Sequence, residues 1–116
     1  MIIKENRLKK RKQFNYLFKN GKHISSDYLS LVYQSVKTKN FKIGYSLSKK
    51  IGCAVIRNKT KRRLKEIVLK FSEQIKNEFF IVLVPKTKIT ELSFLEMYNE
   101  TYSLFKKANL LNDKVC

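Results

Sequence analysis

The spacing of apolar positions changes several times along this chain, and each change marks an element. Phe14, Leu17 and Phe18 share one face at helical spacing, so residues from about Lys10 to Lys19 are predicted to form a short helix, with Gly21 as its stop. Tyr28 to Val36 is rich in aromatic and β-branched residues and predicts a strand, with room for a further short strand around Lys22 to Ser25 before it. Asn40 lies in a polar turn. Beyond it Phe41, Ile43, Tyr45 and Leu47 alternate with Lys42, Gly44, Ser46 and Ser48, the period of a strand with one apolar and one polar face.

The second half of the pattern is helical, then continuous, then helical again. From Ala54 to Phe71, a turn of 100° per residue places Ile56, Thr60, Leu64, Ile67 and Phe71 within an arc of about 80°. Arg57, Asn58, Lys61, Arg62 and Lys65 fall in the adjacent arc of about 140°. Phe79 to Val84 is an unbroken apolar run ended by Pro85, which predicts a buried strand. Ser93 and Glu96 fit a capping box at the start of a last helix, whose buried face is Phe94, Met97, Tyr98, Thr101, Phe105 and Ala108. The succession of elements predicts a small α/β (α+β) layer fold, a mostly antiparallel sheet with helices packed on it, and residues 1–116 as a single domain.

Charge changes this picture from a fold to a surface. Hydrophobic content of 43% and fourteen Phe or Tyr residues argue for a folded domain, yet the net charge is +17. Self-repulsion at that level costs stability and points to a polyanionic partner, nucleic acid before an anionic membrane. The cations are uneven. Residues 1–22 hold eight against one Glu, and residues 37–65 hold eleven against none. From Tyr28 to Lys65 there is no Asp or Glu, whereas seven of the nine acids lie at Glu66 or beyond. The longest apolar run is far short of a membrane span, and Met1 to Glu5 lacks the apolar core of a signal peptide. Two distant cysteines and a single histidine exclude the usual zinc spacings and give no disulfide framework, so a reducing cytoplasm is the expected location.

The basic helix carries the strongest functional signal. Arg57, Lys61 and Lys65 stand at i, i+4 and i+8, so like charges stack on neighbouring turns and destabilise an isolated helix. A bland reading is a solvated helix face. A ligand that offsets the repulsion is the better one, and it is nucleic acid. Arg57 and Arg62 can fork onto phosphate oxygens, and Asn58 adds an amide that donates and accepts. Phe14, Phe18 and Tyr33 admit two readings, core packing or a stacking platform for unpaired bases beside Arg7, Lys9, Lys10, Arg11 and Lys12. His23 has only Asp27 nearby to orient it and reads as a loop residue. Cys53 reads as a small buried or half-buried residue at a helix start. Metal-dependent nucleases gather carboxylates around Mg²⁺, and the cationic half of this chain has almost none, so no catalytic side chain is assigned.

With these residues in hand, the chain resembles the bacterial ribonuclease P protein subunit. The family pattern is a Ser-Lys-Lys-type segment followed by Gly-x-Ala-Val-x-Arg-Asn-x-x-Lys-Arg-x-x-Arg. It stands here as Ser48-Lys49-Lys50-Ile51-Gly52-Cys53-Ala54-Val55-Ile56-Arg57-Asn58-Lys59-Thr60-Lys61-Arg62-Arg63-Leu64-Lys65. Asn6 to Lys10 with Phe14, Phe18 and Gly21 looks like the family's N-terminal segment, and Ile43 to Ser48 like the strand entering the pattern. The resemblance implies a compact α/β sandwich with a left-handed βαβ crossover through the basic helix, against the general handedness rule. It implies a tRNA-processing endonuclease that removes the 5′ leader of precursor tRNA, with an RNA subunit as the Mg²⁺-using catalyst. Arg57, Asn58, Lys61, Arg62 and Lys65 would meet that RNA. Phe14, Phe18 and Tyr33, with Lys49 and Lys50, would contact the leader in a cleft between the first helix and the sheet. The last arginine of the pattern is Lys65 here, which keeps the charge but lacks the planar fork.

Three rivals remain at this level. A ribosomal or RNA-assembly protein would explain charge and size but not the Lys49–Lys65 pattern. A helix-turn-helix DNA binder would need a short helix just before the basic one, where residues 41–48 read as a strand. A protein-only nuclease would cut without RNA.

Overall fold

The computed structural model describes residues 11–37 and 41–111. Helix α1 runs from Arg11 to Asn20, strand β1 from Lys22 to Ser25, β2 from Leu29 to Ser35 and β3 from Lys42 to Tyr45. Helix α2 spans Ala54–Lys70, β4 spans Phe79–Pro85 and α3 spans Phe94–Lys107. Every element expected from the pattern is present, including the short strand at Lys22. The turn at Asn40 and the segment from Asn6 to Lys10 lie outside the described residues.

The strands form one mixed sheet in the order β1-β2-β4-β3. β1 pairs antiparallel with β2, and β2 antiparallel with β4, with Val32 opposite Val82. β3 joins the far side of β4 in parallel, with Gly44 opposite Val82. A parallel neighbour cannot be reached by a tight turn, so the chain crosses over between β3 and β4, and α2 is that crossover.

The main core fills the space between one sheet face and the pair α2 and α3. Leu29, Leu31, Ile43, Ile81 and Leu83 from the sheet meet Leu64, Ile67 and Val68 of α2, and Met97, Leu104 and Phe105 of α3. Phe71, at the end of α2, sits edge-on to Tyr98, Tyr102 and Phe105, with ring centroids 5.1 to 6.0 Å apart. On the opposite face α1 packs through Leu17 onto Val32 and Val82. The two hydroxyls that helices bring into the core are satisfied locally: Thr60 donates to the Ile56 carbonyl at 3.0 Å and Thr101 to that of Met97 at 2.8 Å.

Helix ends follow their local chemistry. Ser93 caps α3 reciprocally: its Oγ accepts from the Glu96 N–H at 3.2 Å, and Glu96 Oε1 accepts from the Ser93 N–H at 2.9 Å. At the other end Asn109 adopts φ 59°, and the N–H groups of Asn109 and Leu110 close on the carbonyls of Lys106 and Phe105. Gly21 stops α1 by close approach, since a Cβ there would lie 2.6 Å from the Leu17 carbonyl oxygen.

Two burial expectations change. Ile56, placed on the apolar arc of α2, is 41% exposed, because the first turn of the helix overhangs the core. Its side chain instead packs against Gly52, whose φ of 152° favours glycine and where a Cβ would lie 3.0 Å from Ile56 Cδ1. Cys53 is exposed, not buried, since it precedes that overhanging turn.

Candidate nucleic-acid interface

The interface is built on the crossover. After β3 the chain makes a short 3₁₀ turn at Lys49–Ile51, anchored by buried Ile51, with Lys49 and Lys50 exposed. The segment that leads into α2 is β3 and this single turn rather than an α-helix, so among the described residues no helix-turn-helix is formed there. Burial of Thr60, Leu64, Ile67 and Val68 fixes the rotation of α2. That rotation turns Arg57, Asn58, Lys61, Arg62 and Lys65 away from the core. Asn58 and Arg62 are exposed, while Arg57, Lys61 and Lys65 are half-buried along their stems. One surface thus carries all five residues that the helical wheel grouped.

The opening of α2 adds to the positive field. Its first turn holds no acidic residue. The backbone N–H groups of Ile56 and Val55, with the Arg57 charge contributing less, hold the Cys53 thiol below its ordinary pKa.

Between the end of β3 and the start of α2 lies a depression of about 250 Å³ lined by Tyr45, Leu47, Ala54, Arg57, Asn58 and Lys61. Two polar atoms of these lining residues, Tyr45 Oη and Arg57 Nε, are buried with no hydrogen-bond partner. Burial raises the Tyr45 hydroxyl well above the usual phenol range, so it keeps its proton. The sequence pattern missed Tyr45, which reads simply as an inward-facing strand residue.

The three aromatic candidates separate. Phe18 is 39% exposed on α1, while its neighbour Leu17 is buried against the sheet. The side chain of Phe14 lies outside the described residues. Tyr33 does not face α1. Strand residues alternate between faces, and Val32 takes the α1 side, which sends Tyr33 to the face of the main core beside Phe79. It lines a larger groove of about 630 Å³ at the end of the sheet, together with Lys22, Gln34, Lys76 and Lys107. A cleft between α1 and the sheet therefore does not include the Tyr33 ring. His23 is exposed, with its Nε2 3.3 Å from the Phe18 carbonyl oxygen.

Comparison with known proteins agrees with this architecture. A family profile described as Ribonuclease P matches residues 2–109, which include the whole Lys49–Lys65 run. The chain belongs to the ribonuclease P protein family. It is 36% identical over 110 residues to the ribonuclease P protein component of Syntrophomonas wolfei, covering 95% of this chain and 92% of that one. The corresponding protein of Streptococcus thermophilus is 33% identical over 110 residues, covering 95% and 98%. Among solved structures, the RNase P protein of Staphylococcus aureus superposes with a TM-score of 0.86 at 27% identity, over 92% of this chain and 98% of the other. That of Thermotoga maritima gives 0.81 at 28% identity, over 87% and 96%. Family membership assigns the chain to a tRNA-processing nuclease complex that contains an RNA subunit. Among the described residues no helix is long and apolar enough to cross a membrane.

Proposed function

We propose that this chain is the protein subunit of an RNA-based ribonuclease P, in which the RNA carries the chemistry and the protein supplies charge and position. The supporting observation is the single surface of α2 that gathers Arg57, Asn58, Lys61, Arg62 and Lys65 while its opposite side is held by the core. That surface binds the catalytic RNA. Cations there neutralise phosphates, so affinity falls steeply with salt. Phe18, with Phe14 on the same helix and Lys49 and Lys50 after β3, contacts the single-stranded 5′ leader of precursor tRNA. Mature tRNA has no leader, so the contact favours precursor over product. The complex acts in the cytoplasm.

The described residues do not assemble a carboxylate cage for Mg²⁺. A hard cation takes several oxygen ligands. Among the described residues no three of His, Cys, Asp or Glu come together in a way that could hold a metal. In this reading its ligands belong to the RNA subunit and the substrate.

Reconstitution tests the proposal. Added to a bacterial ribonuclease P RNA at low Mg²⁺, the purified protein should restore leader removal from a precursor tRNA, and the protein alone should cut nothing. No stimulation would favour a ribosomal or RNA-assembly role, and cleavage without RNA would make the protein itself the nuclease.

A further inference from the structure

We propose that the Tyr45 hydroxyl is an RNA contact which, with Arg57 Nε, lines a pocket for one backbone phosphate. The pocket is the depression between the end of β3 and the first two turns of α2. This inference deepens the RNA-binding reading and rests on it.

Two observations carry it. First, Tyr45 Oη and Arg57 Nε are both buried and both unpartnered, and the two residues that carry them line one depression. Buried polar groups are nearly always paired, so two orphans at one place point to a group that arrives from outside. Second, the charged groups of the lining are all of one sign. Arg57 is a permanent cation with donors only, Lys61 adds a second charge, Asn58 offers an amide, and no carboxylate is present. Tyr45 stays protonated through the working range, so its hydroxyl can donate. Ala54 brings the opening turn of α2 to the same place, and that turn holds no acidic residue to repel an anion.

A pocket of donors and positive charge takes an anion. A nucleic-acid phosphate is favoured over a protein carboxylate because the same charges continue along α2 at Arg62 and Lys65, as a phosphate backbone would require. The hydroxyl is costly in the free protein and useful only when bound, which gives two readouts of opposite sign.

The test uses Tyr45→Phe, Arg57→Lys and the double variant, each in the full chain. The thermal midpoint of the free protein is measured, then binding to a bacterial ribonuclease P RNA over a salt series, then holoenzyme affinity for precursor and mature tRNA. Tyr45→Phe should raise the midpoint, because it removes an unsatisfied buried hydroxyl, and should weaken RNA binding about five- to tenfold. The salt slope should not change, since no charge is lost. In the Arg57→Lys background, which lacks Nε, the Tyr45→Phe effect should shrink to about twofold or less. Weakening confined to ribonuclease P RNA places the phosphate in the catalytic RNA; weakening confined to the precursor places it in the leader. Unchanged affinity for both RNAs overturns the proposal, as would be seen if water served both groups. A lowered midpoint also overturns it, because the hydroxyl would then have a partner within the protein. A wild-type protein that binds neither RNA overturns the underlying reading instead, before any variant is compared.

Discussion

Tyr33 packs against Phe79 with ring centroids 6.3 Å apart and planes tilted by 55°, on the sheet face that carries the main core. This pairing separates Tyr33 from Phe18, although both are aromatic and both lie in the first third of the chain. Tyr33→Phe should therefore leave the preference for precursor over mature tRNA unchanged. Phe18→Ala should reduce that preference severalfold while changing stability by less than about 1 kcal/mol, as expected for a partly exposed ring. Affinities of the reconstituted holoenzyme for the two substrates check both. An equal loss on both substrates from a folded Phe18 variant would return that ring to a packing role.

Arg62 is exposed on α2 and contributes nothing to the core. Arg62→Ala should weaken binding to the RNA subunit at every salt concentration and lower the slope of log K against log salt by about one. Stability should stay within about 0.5 kcal/mol of the parent. Filter binding across a salt series, with a thermal melt of the free protein, measures both quantities.

Leu17 is fully buried against Val32 and Val82, and among the described residues it is the buried side chain of α1 that packs on the sheet. Leu17→Ala should cost about 2–5 kcal/mol, the range for a large-to-small change in a packed site. Because the cluster is small and separate from the main core, protease sensitivity should rise first near α1. A uniform rise along the chain would mean that α1 and the main core unfold as one unit.

The capping box of α3 predicts a pH dependence. The Ser93 backbone N–H, then its side chain, hold the Glu96 carboxyl below its ordinary value of 4.5. The unfolded chain therefore takes up this proton more readily than the folded one. The stabilisation is complete above the ordinary carboxylate value and is lost as pH falls through the lower folded value. Glu96→Ala should narrow the difference in thermal midpoint between pH 6 and pH 3. Ser93→Ala should cost about 0.5–2 kcal/mol near neutrality. A pH response identical to that of the parent in Glu96→Ala would rule out the box as its source.

The sequence by itself determined the α-helices and strands and the surface that matters most. Arg57, Asn58, Lys61, Arg62 and Lys65 group on one side of a helix because 100° per residue is a property of the backbone, and the spacing of Leu64, Ile67 and Phe71 marks the side opposed to water. Tertiary structure decided what periodicity cannot hold. A pattern of faces says that a residue points inward but not which neighbour covers it. Leu17 is covered by the sheet and Phe18 is not. Ile56 lies beyond the edge of the core. Tyr33 follows the alternation of β2 to the face opposite α1. The pairing of β3 in parallel with β4 brings Tyr45 beside the first turns of α2, twelve residues from Arg57 in the chain. No local spacing links those two groups; only the crossover brings their unpartnered atoms to one pocket.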